Sequence, residues 1–578
     1  YYLSNSKTKH QNMKNLRILS LSLLLLLVLP LIAQQPKAQR LVLLEEFTSS
    51  TCGPCASVNP TIVQRLQQNP DKFTAIFYHV SWPSPGNDPM YLANTQENNA
   101  RVNYYGVNSV PYSVIDGNYY TGHPNGWTMT TINNRYAMPS PAEIQLQHYL
   151  NAAQDSIFVN MLVILTDMMT GSQLVAQNVI IEKHIHFNTA PGTNGEKDFY
   201  NVMKKMLPGA GGTNLPTPLS PGDYVIMQYS WKLANVYDNN ELAAIGFIQN
   251  NSSKEVLQTS NSSPAPLTPL YSNDGEILSL SNVAPENCTG KVAPVIRVRN
   301  NGSNSLSSIT LKYRIDNQPE QEYTWTGNIG FLQSKNIALP EYLFAPQNSN
   351  TLKIYIDKVN QLQDEYRKND TLTFHLSEPK TATTVLNLWI KTDNKPEEIT
   401  WSIKTSDGSL VSSGGPYAQA STLIKETIKV ESEHCYQFAL YDAGGNGLCC
   451  ANGLGFFTLF DDKNVTIAEG TTFGSEVLAQ FYSQSGIGIE DLSKQYLSII
   501  PNPVSHLSMI YFNMNTDGKV NLNIYNLNGS LIFQKVSETL NKGEQKMKLN
   551  VERMNSGIYL IEIIMPDKKV LRQRFVVQ

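Results

Sequence analysis

The chain has 578 residues, with 44 Lys and Arg set against 48 Asp and Glu for a net charge of −4. At roughly 100–200 residues per domain, that length calls for about four or five folding units, each with a core of its own. Neither sign of charge gathers into a long run, which argues against nucleic acid as a partner. Tyrosine is abundant at 29 residues and charged residues make up only 16%. Asn, Ser, Thr and Gly recur between short apolar runs, the texture of secreted β-sandwiches.

Met13-Lys14-Asn15-Leu16-Arg17 leads into an apolar run from Ile18 to Ile32. About 15 apolar residues fall short of the roughly 20 that a spanning helix needs, so residues 13–34 are predicted to be a signal peptide cleaved near Ala33 or Ala38. A strand rich in Val and Leu follows from Arg40 to Phe47, then the pair Cys52 and Cys55. Val58, Ile62 and Leu66 recur on one helical face, and Pro70 stops the helix. Phe73 to Val80 reads as a second buried strand, Pro83 to Pro89 as a loop, Tyr91 to Tyr104 as a polar helix, and Val107 to Ile115 as a strand ending in an Asp116-Gly117 turn.

From Ala142 the pattern becomes all-β, with strands expected at Phe158–Leu165, Leu174–Phe187, Asp223–Trp231 and Leu242–Gln249. Ser260 to Pro269 is a Ser/Pro-rich linker. A further sandwich is expected from about Ile277 to Leu376, a fourth unit from about Thr383 to Tyr482, and a last one from about Leu497, with a hairpin turn at Asn528-Gly529.

Cys52-Gly53-Pro54-Cys55 lies between a predicted buried strand and a predicted helix. A thiol at a helix N-terminus loses its proton readily, because the helix dipole and the free N–H groups favour the thiolate. Cys52 is therefore the expected nucleophile and Cys55 the resolving thiol. Val110-Pro111 precedes a predicted strand, where a cis bond would fit.

With these residues in hand, about Arg40 to Gly122 resembles the thioredoxin superfamily. That resemblance implies that Pro111 lines the groove beside the cysteines and that Glu46, six residues before Cys52, is a buried acid and base for proton transfer. Thr51 stands where the superfamily usually has tryptophan, which puts its recognition surface in doubt. Glu45-Glu46-Phe47-Thr48, Phe199 to Pro208 and Glu255 to Gln258 extend the likeness. About Arg40 to Ser260 resembles the outer-membrane-protein-related family of Bacteroidetes, a thioredoxin-like domain followed by a β-sandwich, whose biochemical role is not defined even at family level.

Asp442-Ala443-Gly444-Gly445-Asn446-Gly447-Leu448-Cys449-Cys450 packs oxygen donors and glycines into one loop, a composition suited to Ca²⁺. With Thr392 to Trp401 and Ser413 to Tyr417, it resembles a sandwich module of secreted Bacteroidetes proteins that often carries calcium. The implied ligands are Asp393, Glu398, Asp442 and Asn446, and no other cofactor is required. Glu182, His184 and His186 alternate on one strand as a weaker metal candidate. A Cys449–Cys450 bridge would be strained, so Cys435 is expected to pair with one of the two. Cys288 then reaches the other or stays free.

Ile500-Pro501-Asn502-Pro503, Ile524 to Gly529, Ser556 to Tyr559 and Arg572 to Val577 stand in order over the last 80 or so residues. They resemble the C-terminal sorting domain of type IX secretion, which implies export to the cell surface or medium and the secretion machinery as a partner.

The expected fold is multidomain and mostly β, with an N-terminal α/β thioredoxin-like domain followed by several β-sandwiches. Its expected limits are 35–140, 141–262, 275–378, 380–484 and 495–578. The leading functional expectation is a surface thiol-disulfide oxidoreductase acting on protein thiols and disulfides. The rival is a non-enzymatic surface or adhesion protein that contacts cell-surface components through a thioredoxin-like scaffold. Zincin, Gly-x-Ser-x-Gly and P-loop motifs are absent from the sequence.

Overall fold

A computed structural model describes residues 37–171, 173–484, 497–500, 502–504, 506–526, 530–552 and 554–577. The predicted signal peptide and the Asn528-Gly529 turn lie outside them. The chain is mostly β and divides into two compact units, residues 1–268 and 269–578. That cut falls inside the predicted Ser/Pro-rich linker.

In the first unit, β1 (Val42–Thr48) leads into α1 (Gly53–Gln68), β2 (Phe73–His79), α2 (Pro89–Ala93), α3 (Thr95–Tyr105), β3 (Tyr112–Ile115), β4 (Tyr120–Gly122) and α4 (Met129–Tyr136). The expected single polar helix is broken at Asn94, whose side chain caps α3 by accepting from the Glu97 N–H. Then come β5 (Ala142–Leu150), β6 (Ser156–Leu165), β7 (Leu174–His186), β8 (Asp198–Leu207), β9 (Thr213–Asn214), β10 (Tyr224–Lys232), β11 (Leu242–Asn250) and β12 (Val256–Asn261).

β1 and β2 pair in parallel, β3 runs antiparallel to β1, and β4 antiparallel to β3. Every residue of β1 and β2 is buried, as expected of strands covered on both faces. The sheet does not stop at residue 140, where two domains were expected to meet. β8 joins β2 at Phe77–Val202, giving the order β12-β11-β7-β8-β2-β1-β3-β4, with β9 on β7. Leu43, Phe47 and Tyr78 share one core with Val179, Met206 and Phe247. The smaller sheet β10-β6-β5 encloses a second core that includes Leu146, Met161, Ile180 and Ile248.

Buried charge ties this sheet to the helices. Arg101 of α3 donates to Glu45 Oε1 from Nε at 3.0 Å and Nη2 at 2.5 Å, and to Gln249 Oε1 at 3.1 Å. Tyr105 donates to Glu45 Oε2 at 2.5 Å. Glu45 is fully buried and Arg101 is 2% exposed, so strands β1 and β11 and helix α3 meet on one neutralised pair.

The second unit holds three sandwiches in series. The first packs residues 275–377 around a core that includes Ile296, Ile309, Leu311 and Ile354. In the next, a five-stranded sheet built on His434–Asp442 faces a four-stranded sheet built on Val385–Lys391, with Trp401 and Phe438 between them. The last, from Leu497 to Val577, pairs a three-stranded with a four-stranded sheet over Ile510, Ile524, Ile561 and Phe575.

The disulfides differ from expectation, because Cys288 pairs with Cys435 and Cys449 pairs with Cys450. Cys435 opens the strand His434–Asp442 and the cysteine-rich loop follows the strand's far end. Seven steps of about 3.3 Å put them roughly 23 Å apart along it. Cys288 instead lies against the neighbouring strand, its N–H donating to Gln480 Oε1 at 3.1 Å.

Candidate functional site

Cys52 is the N-cap of α1, and Pro54 sits in the first turn, where its missing N–H costs nothing. Cys52 and Cys55 are joined in a disulfide, with the Cys55 N–H directed at Cys52 Sγ at 3.1 Å. The Val110–Pro111 bond is cis, as expected, and Val110 O lies 3.7 Å from Cys52 Sγ. Cys52 is 1% exposed and Cys55 fully buried.

Glu46 stands opposite Ser113 in the β1–β3 register, and Ser113 Oγ donates to its Oε2. Ser113 Oγ in turn accepts from Trp127 Nε1 at 2.9 Å. Glu46 Oε1 is buried without a hydrogen-bond partner. Burial pushes the Glu46 carboxyl up to about 8, with only the Ser113 hydrogen bond opposing it. A folded-state pKa above the unfolded value means that the folded protein binds the extra proton. That stabilisation is complete below about pH 4.5 and is lost as pH rises through about 8. Thermal unfolding of Glu46→Gln should therefore show a flatter pH profile and, above pH 8, a gain on the order of 2 kcal/mol over the parent.

The loop ahead of the cysteines is braced by Asp88, which was not anticipated. Its Oδ2 accepts from the Ser50 N–H at 2.7 Å and meets His79 Nδ1 at 2.7 Å, while Oδ1 accepts from the Met90 and Tyr91 N–H groups. Burial works against this carboxylate, but the His79 ring and the N–H groups outweigh it and hold its pKa at about 2.

A second unanticipated feature is the connection between β7 and β8, residues 187–197. Asn194 N–H donates to Ser50 O at 3.1 Å, and Asn194 Nδ2 donates to Ser49 O at 3.1 Å and Cys52 O at 3.2 Å. Thr193 Oγ1 reaches Thr51 O at 3.5 Å. Glu196 accepts from Asn194 Nδ2 and from Asn59 Nδ2 of α1, at 2.5 and 2.9 Å. The available sequence signal was length: eleven residues join two antiparallel strands that a loop of two to five could connect.

The residues singled out for metals are less convergent. Asp442 Oδ2 accepts from the N–H groups of Asn446 and Gly447, both at 2.7 Å, and Oδ1 from Gly444 at 3.2 Å, so Asp442 staples its own loop. Asp393 Oδ1 accepts from the Lys395 N–H at 2.8 Å. A Cβ at Gly444 would lie 2.2 Å from Glu398 Oε2 and 2.8 Å from Asn446 Oδ1, so those two oxygens face one spot. Asn446 Oδ1 is buried without a partner, and burial, then the charge of Asp442, raises the Glu398 pKa. Glu182, His184 and His186 do not converge. Glu182 is buried against Lys204 and the Tyr237 and Asp238 N–H groups, while both histidines bond to Asp198 Oδ1. Among the described residues, no three His, Cys, Asp or Glu side chains are grouped to hold a metal ion.

At the other end of the chain, residues 498–578 match the family model for the secretion system C-terminal sorting domain. The chain carries a type IX sorting signal. It is accordingly an exported protein of the cell surface or the extracellular space, and the type IX machinery is its partner in transport. No curated protein matches the chain. Among solved structures it is similar to HBP35 of Porphyromonas gingivalis, at 13% identity and a TM-score of 0.34, covering 59% of this chain and 99% of that one. It is also similar to the CARDB domain of the PF1109 protein from Pyrococcus furiosus, at 19% identity and a TM-score of 0.16, covering 20% of this chain and 94% of that one. Latent PorU from P. gingivalis is similar at 11% identity and a TM-score of 0.16, covering 76% of this chain and 34% of that one. Scores this low say nothing about shared activity.

Proposed function

We propose that the chain is a surface-displayed binding protein, a row of β-sandwiches delivered by type IX secretion, in which the N-terminal unit serves mainly as a scaffold. The observation that carries this reading is the burial of both Cys52 and Cys55, joined as a disulfide, so that the folded surface offers no ready nucleophile. The partners of such a protein are cell-surface components.

The second reading, a thiol-disulfide oxidoreductase, is supported by the strand order β2-β1-β3-β4, by the cysteine pair at the N-terminus of α1, by cis-Pro111 beside Cys52, and by the partnerless oxygen of Glu46. This is the arrangement that the thioredoxin resemblance implies. In the reduced protein, the Cys52 thiolate would attack one sulfur of a protein disulfide, form a mixed disulfide with it and release the other sulfur as a thiolate. The Cys55 thiol would pass its proton to Glu46, and its sulfur would then displace the substrate thiolate as the Cys52–Cys55 bond re-forms.

The deciding experiment is the reduction potential of the pair in graded glutathione buffers, with turnover of a scrambled test protein in the same samples. A potential below about −300 mV and no turnover support the scaffold. A reversible couple between about −120 and −270 mV, with turnover lost in Cys52→Ser, overturns it.

For the sandwich built on Val385–Lys391 and His434–Asp442 we propose calcium, held by Asp393, Glu398, Asp442 and Asn446. The buried, partnerless Asn446 Oδ1 and the nearby Glu398 Oε2 support it. Added Ca²⁺ should raise the melting temperature of the parent but not that of Glu398→Gln.

A further inference from the structure

The contacts of residues 192–196 have a common target. Asn194 and Thr193 between them occupy the backbone carbonyls of Ser49, Ser50, Thr51 and Cys52, the four residues that run into α1. A Cβ at Gly192 would lie 2.1 Å from Ser50 O, so the segment presses directly onto the cysteine loop at a position where only glycine fits. Glu196 pins the far end to α1 through Asn59, which also donates to Thr48 Oγ1 at 3.1 Å.

The way this segment is held matters as much as where it lies. No residue from 188 to 197 is fully buried, and hydrogen bonds tie residues 193–196 to the cysteine loop and α1. Segments with little buried apolar surface open at a small fraction of the global unfolding free energy. Release of this segment frees the four carbonyls that hold the loop and lets Cys52, 1% exposed where it stands, move out to a thiol.

We infer that residues 192–196 are a gate over the Cys52–Cys55 pair, with Asn194 as its latch, and that the gate sets which thiols the pair can exchange with. In the closed state Cys52 is 1% exposed and Cys55 fully buried. In the open state a small thiolate attacks Cys52 Sγ, forms a mixed disulfide and releases the Cys55 thiolate, which takes up a proton. A second small thiolate then attacks the reductant's sulfur, giving the oxidised small-molecule disulfide and the Cys52 thiolate. Two thiols are oxidised and one protein disulfide is reduced. Bulky protein thiols require a wider opening than small thiols do, so the gate favours the small class.

The inference rests on the pair being reducible, and its test leaves protein turnover out, so that failure of the gate and failure of the oxidoreductase reading remain separate outcomes. The full-length protein is mixed with dithiothreitol over a wide concentration range, and free thiols are trapped at intervals. With a gate, the rate of reduction levels off as opening becomes limiting. Loss of the Asn194 side-chain bonds in Asn194→Ala raises that plateau by roughly tenfold or more. Tyr104→Phe, which removes the bond from the Tyr104 hydroxyl to Asn251 Oδ1 elsewhere in the same unit, leaves the plateau unchanged. The same plateau can be read in the unmodified protein by hydrogen exchange at the Asn194 and Glu196 amides, so the test survives a variant that folds poorly. A rate that stays proportional to dithiothreitol and is equal in parent and Asn194→Ala, or a plateau that rises as much in Tyr104→Phe as in Asn194→Ala, overturns the gate.

Discussion

Replacing Arg101 by alanine will destabilise the N-terminal unit by about 3–5 kcal/mol, because it strands the Glu45 carboxylate inside the sheet without its counter-charge. Glu45 is fully buried at the centre of β1 and takes two of its hydrogen bonds from Arg101. Tyr105 cannot compensate, since one phenol hydrogen bond does not neutralise a charge. Denaturant unfolding followed through the N-terminal unit should show a lower midpoint with an unchanged slope. The double variant Glu45→Gln/Arg101→Met removes both charges together and should recover a large part of the loss. If Arg101→Ala unfolds with the parent, this pair is not what joins α3 to β1 and β11.

The second large effect is expected from the Cys288–Cys435 bond, which closes a loop of 147 residues. Loop-closure entropy puts its contribution at about 5 kcal/mol as an upper figure, with 2–4 kcal/mol usual for such bonds. Cys288→Ser/Cys435→Ser should accordingly lower the unfolding midpoint of the second unit and leave the first unit's transition in place. A fall in both would mean that the two units unfold together.

Much of the local structure could be read from the sequence. Val58 and Ile62 are buried on α1 as their spacing implies, and the helix ends at Gln68, just before Pro70. Helical periodicity carried the segment across Pro60, an interior position that a rule on proline alone would have rejected. The strands of the first unit fall within a residue or two of expectation wherever apolar residues run unbroken, as in β6, β7 and β11.

What could not be read is pairing between distant segments. Nothing in Phe73–His79 announces that Phe77 will meet Val202, so a sheet that continues past residue 140 looked like two domains. Likewise, the spacing of the cysteines is blind to Gln480 and Phe481, against which Cys288 lies. The cysteine motif is short and local, and the roles expected of Glu46 and Pro111 came with the resemblance to the thioredoxin superfamily. Asp88 and Asn194 were not legible, because each is an ordinary loop residue until the fold brings it to Ser50.

The separation of the gate from what it covers also imposes a history on the molecule. Asn194 lies 142 residues beyond Cys52, and the strands that carry it can settle only against β2 and β11. Such long-range pairing is slow to form. As the chain emerges, the cysteines therefore spend an interval uncovered, and this is when an oxidant has free access to them. On this order oxidation is expected before burial, with the disulfide stored by folding rather than made by the finished protein. Trapping free thiols during refolding should find the pair reactive early and silent late, with the loss of reactivity coinciding with protection of the Asn194 amide.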